Sequence, residues 1–170
     1  MVAALMERNS SFPAEANQVA QQAQGNYNNA VKILQKSGDD TEFEQLFITW
    51  VRAAFKAKGN ASVIQDLVFW AETISRMGRE NQKQFLSFCS NFFRQALLFN
   101  YGAKDLVYYE IKDVNFKFEK FAPFVHGANI LGITEEINTG IYHIERNGNA
   151  KSILLDMSIK LTRLLHTKEA

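Results

Sequence analysis

The stretch RENQKQFLSFCSNFFRQALLFN, residues 79–100, decides the fold. Phe85, Phe88, Phe92, Ala96 and Phe99 recur at spacings of three and four and fall on one stripe of a helix. Cys89, Phe93 and Leu97 widen that stripe to well over a third of the circumference. A face so broad has to be covered from more than one side. Burying an aromatic or leucine side chain contributes roughly 1.5–3 kcal/mol, so this helix can hold neighbours from both directions along the chain. It reads as a scaffold, without a reacting group.

Upstream, Gly78 separates this helix from one opened by Ser62 and Gln65, with Ile64, Leu67, Val68, Ala71 and Ile74 inward and Trp70 beside them. Before it, Thr41 and Glu44 form a capping-box pattern. That pattern opens a helix with Phe43, Leu46, Phe47, Trp50, Ala54 and Phe55 on one face, ending at Lys58-Gly59-Asn60. The polar run Ser37-Gly38-Asp39-Asp40 marks a boundary. Ahead of it lie thin, alanine-rich helical pieces, the first of them, Val2 to Asn9, reading as the tail of a helix begun upstream.

Downstream, Val107, Tyr109 and Ile111, then Val114, Phe116 and Phe118, alternate with polar residues as a strand would. A lone hairpin beside helices is marginal, so short helices over 103–109 and 115–125 are expected instead. Thr134, followed by Glu135 and Glu136, is expected to start a helix with Ile137, Ile141 and Ile144 inward, closed by Asn147-Gly148. Gly140 inside it costs about 1 kcal/mol relative to alanine, which predicts a close helix crossing. Asn149 caps a last helix with Leu154, Met157, Leu161, Leu164 and Leu165 in a stripe. The expected class is all-α: a small helical unit over 1–38, then a domain of antiparallel helices over 39–170.

The 170 residues suffice for a real core, and 19 basic against 18 acidic residues leave a net charge of +1. Such a balance gives no global attraction to nucleic acid or membrane. Cys89 is the single cysteine, which excludes a disulfide framework within the chain. With no apolar run of membrane-spanning length and no leader pattern at the start, the chain is expected in the cytoplasm. His126, His143 and His166 lack a second ligand at metal-binding spacing, and neither GxSxG nor GxxxxGK is present. No catalytic residue, metal or cofactor is therefore expected. Basic residues gather loosely at Arg52, Lys56 and Lys58, at Arg76, Arg79 and Lys83, and at Arg146, Lys151 and Lys160. Such groups either form a solvated face or follow a phosphate backbone, so a free-standing helical nucleic-acid-binding or protein-interaction domain is the alternative reading.

Three stretches carry a resemblance: WAETISRMGRENQKQFLSFCSNFFRQALLFN (70–100), FEKFAPFVHGANI (118–130) and YHIERNGNAKSILLDMSIKLTRLL (142–165). In this order they resemble the C-terminal region of the delta-prime subunit of bacterial DNA polymerase III, in its Bacteroidetes-type form. Arg146, Asn147, Asn149 and Lys151 look like that family's entry to its last collar helix, and GRENQK, 78–83, like its inter-helix turn. AQGNYNNAVKIL, 23–34, is similar to the last lid helix of AAA+ clamp-loader subunits, whose ATP-sensing members carry an arginine where this chain has Asn28. The resemblance implies a lid remnant over 1–38 and a collar domain over 39–170. It implies a non-catalytic assembly module of a clamp loader in DNA replication, packing against other loader subunits of the delta and gamma/tau type. The sliding clamp and primed DNA are then reached only through the whole complex, a part of the DNA-directed DNA polymerase holoenzyme, with no membrane partner. Interface residues are expected on the outward faces of the last two helices and of 79–100, with Arg79, Arg146 and Lys151 as candidate polar contacts between subunits.

Overall fold

Six α-helices and two 3₁₀ turns make up the described residues, 39–57, 62–107, 111 and 113–168, of the computed structural model. Among these residues the class is all-α. The helices are α1 (Asp39–Lys56), α2 (Val63–Ser75), α3 (Arg79–Asn100), α4 (Phe118–Phe121), α5 (Ile130–Glu145) and α6 (Ala150–Leu165), with 3₁₀ turns at Lys104–Leu106 and Ala122–Phe124. The expected lid remnant, 1–38, with Asn28, and the Lys58-Gly59-Asn60 stop lie outside the described residues.

The helix read from residues 79–100 forms over those residues, and its stripe is the centre of the core. Phe85, Cys89, Phe92, Phe93 and Ala96 are buried, as is Leu86, which periodicity did not single out. Phe47 of α1 sits within the aromatic cluster: its ring lies 4.3 Å from Phe92, 5.4 Å from Phe93 and 5.9 Å from Phe121, centroid to centroid. Edge-on and tilted pairs of this kind each add about 0.5–1.5 kcal/mol beyond the area they bury. The turn after α3 is closed by Gly102 at φ +79°. Its amide donates to the Phe99 carbonyl (3.1 Å) and that of Ala103 to Leu98 (2.9 Å), the paired bonds of a Schellman motif.

Packing interleaves the helices rather than following chain order. α3 lies against α5 and α2 against α6, α5 and α6 pack on each other across a four-residue turn, and α1 covers α2 and α6. Gly140 is a place where α5 approaches two of its neighbours closely. A Cβ there would stand 3.2 Å from Met157 Sδ of α6 and 3.5 Å from Leu86 Cδ1 of α3, which accounts for glycine at a helix-interior position.

Several local expectations are corrected. α1 starts at Asp39, so Thr41 is inside the helix, and the buried Glu44 accepts the Asp113 amide at 2.9 Å. Ser62 precedes α2 in a helical conformation without a side-chain cap, and Val63, not Ile64, faces the core; Ile64 is 51 % exposed. The helices expected over 103–109 and 115–125 shrink to a 3₁₀ turn and to the four-residue α4 with its own 3₁₀ extension. Phe118 and Phe121 of that segment reach Phe92 at 5.4 and 5.8 Å, so aromatic anchoring, not a helical stripe, holds it. α5 begins at Ile130, four residues before Thr134, whose hydroxyl donates to the Ile130 carbonyl at 2.9 Å inside the helix.

Candidate functional site

Glycine and asparagine at the end of α5 build the polar end of the bundle. Asn147 holds φ +63°, its amide donating to Ile144 (3.2 Å) and that of Gly148 to His143 (2.9 Å), a second Schellman motif with asparagine in the left-handed position. Asn149 then accepts the Ser152 amide at 3.0 Å and caps α6, as its sequence position predicts. This tight turn lies beside the turn between α2 and α3, so the basic groups of both come together.

All three candidate contacts sit there. The Arg79 guanidinium donates to the Asn147 side-chain oxygen. Lys151 reaches Glu72 at 3.1 Å, and Arg76 binds the other oxygen of the same carboxylate at 2.5 Å. Hydrogen bonds from Lys151 and then Arg76 hold Glu72 below the usual carboxylate range. Lys83 bridges Glu80 (3.0 Å) and Glu145 (3.4 Å), and its bond to Glu80 raises it above the ordinary lysine value. Arg146 lies over the Tyr142 ring, 3.6 Å from its centroid. Sequence spacing could not pair Arg79 with Asn147 or Lys151 with Glu72, because 68 and 79 residues separate them.

Tyr142 leads from this polar end onto the outer face of α5, which the sequence reading expected to face outward but did not resolve into residues. Leu131 is 79 % exposed and Tyr142 49 %, and with Glu135 and Asn138 they form a stripe opposite the buried Ile133, Ile137, Gly140 and Ile144. A shallow groove of about 590 Å³ runs along it, lined by α5 alone. The signal for it was two large apolar residues off the core period, at 131 and 142.

Elsewhere the basic groups are in part neutralised: Arg52 faces Asp113 at 3.6 Å, and Lys160 faces Asp156 (2.9 Å) and Glu136 (3.3 Å). Among the described residues no group of three His, Cys, Asp or Glu side chains could hold a metal ion, and no helix is long and apolar enough to cross a membrane. His126 is buried with Asn129, its Nε2 3.0 Å from the Thr167 carbonyl, a bond that ties the end of α6 to the turn before α5. Cys89 is buried, and loss of solvation pushes its thiol well above the ordinary value. Comparison of the chain with protein-family models, curated proteins and solved structures gives no match.

Proposed function

We propose that this chain is the collar of a clamp-loader subunit resembling delta-prime of the replicative DNA polymerase III, a non-catalytic assembly module that packs against sister subunits of the delta and gamma/tau type. The observation that carries this reading is the outer stripe of α5. A helix with a fully buried face on one side and Leu131 and Tyr142 on the other, about 16 Å apart along its axis, suits packing against a helix of another subunit. Arg146, stacked on Tyr142, and Arg79 and Lys151 beyond it supply a polar rim to that apolar strip.

Co-expression of the full gene product with the delta and gamma/tau-type subunits of the same organism tests the reading. Co-elution in size-exclusion chromatography is expected, and Leu131→Asp with Tyr142→Asp should abolish it while leaving helicity intact. Failure of the unaltered full-length protein to associate with those subunits would refute the assignment.

A further inference from the structure

We infer that the groove between α1 and the segment 113–124 is a binding site for single-stranded nucleic acid. Arg52 and Lys56 line it one turn apart on α1, and Lys117 and Lys120 line the facing wall around a volume of about 490 Å³. All four are exposed, and Lys56, Lys117 and Lys120 belong to none of the ion pairs among the described residues. Sequence proximity grouped only the first two; the fold sets the other pair across from them.

Between the cations lies an aromatic floor. Phe124 is 42 % exposed and leans on Phe55, centroids 4.5 Å apart and planes inclined at 57°, so its position is fixed while part of the ring stays open to solvent. A cationic groove with an accessible ring is the arrangement on which bases stack while the backbone is neutralised alongside. The accessible ring favours nucleic acid over an acidic peptide, because a chain of carboxylates has no base to stack on it. Three of the four groups are lysines, which bind phosphate as point charges, and the one guanidinium already faces Asp113. The site is separate from the outer stripe of α5 and independent of the collar reading.

The test is fluorescence anisotropy of a labelled oligothymidylate of about 20 nucleotides with the full chain, titrated from low to physiological salt. With three phosphates neutralised, log K should fall against log salt with a slope of about −2. Phe124→Ala should weaken binding about ten-fold, and Lys117→Glu with Lys120→Glu should remove it. Phe124→Leu, which keeps an apolar side chain but no ring, serves if the alanine variant loses helicity. Leu131→Asp should leave this binding unchanged, so the collar reading and this one fail separately. Absence of binding at low salt, or affinity indifferent to Phe124, would overturn the inference. So would competition by poly-glutamate as effective as unlabelled oligonucleotide, which would assign the groove to acidic peptides.

Discussion

Asn129 is fully buried, and its side chain joins three parts of the chain. Its oxygen accepts the His126 amide at 3.0 Å, and its nitrogen donates to the Phe124 carbonyl at 2.8 Å and the Leu164 carbonyl at 3.1 Å. Asn129→Asp keeps the shape and the acceptor but replaces the donor with an oxygen facing two carbonyls. The Phe124 carbonyl then loses its side-chain donor and the Leu164 carbonyl keeps only the Thr167 amide, while an uncompensated buried charge faces both, so the variant should lose about 4 kcal/mol near neutral pH. The cost should depend on pH in a definite direction. Burial against carbonyls raises the introduced carboxyl above its unfolded value near 3.9, so between the two values the folded state binds more protons than the unfolded. Stability relative to the parent protein therefore falls as pH rises, by up to about 1.4 kcal/mol per pH unit, until the folded-state value is passed. Asn129→Ala, which cannot ionise, should lose about 2–4 kcal/mol with no such slope. Urea unfolding followed by circular dichroism, at several pH values from mildly acidic to neutral, reads all three proteins. A loss for Asn129→Asp below about 1 kcal/mol at neutral pH, or one that does not grow with pH, would refute the role given to this amide.

Gly140→Val should destabilise by about 2–4 kcal/mol because its branches must displace the side chains of α3 and α6. Gly140→Ala should stay within about 1 kcal/mol of the parent, since flexible Met157 can yield and helix propensity offsets the contact, and thermal melts compare the two. Cys89 should react with a thiol reagent only as fast as the protein opens. A labelling rate that rises with urea in step with unfolding is expected, and rapid labelling of the native chain would contradict its burial. Glu72 should titrate below an ordinary glutamate by carboxyl-detected NMR, and Lys151→Met should move its midpoint upward. Its folded value is depressed, so the contribution of this cluster is present above the unfolded glutamate value and fades as pH falls through the folded one.

Legibility followed the range of the interaction. α3 was readable to its ends because a dense aromatic stripe and two flanking glycines, Gly78 and Gly102, are local signals, and Asn149 was readable as a cap for the same reason. Gly140 announced a close crossing by its cost, though not which helices cross there. Helix starts were less legible: Thr41 lies inside α1 and Glu44 accepts the distant Asp113 amide, Ser62 makes no side-chain cap, and Thr134 lies inside α5, which begins four residues earlier at Ile130. Residues 103–125 defeated periodicity because rings that must fill space around Phe92 need not sit at any regular spacing.

By itself the sequence determined that the described residues are helical, where their principal helix begins and ends, and that their core is aromatic, since these depend on spacing and on residues three or four apart. The tertiary structure decided which helices touch, which carboxylate answers which cation, and which apolar residues stay outside. Contacts such as Arg79 to Asn147, the facing lysines around Phe124 and the bare stripe of α5 depend on the mutual placement of whole helices, and no short-range pattern encodes that placement.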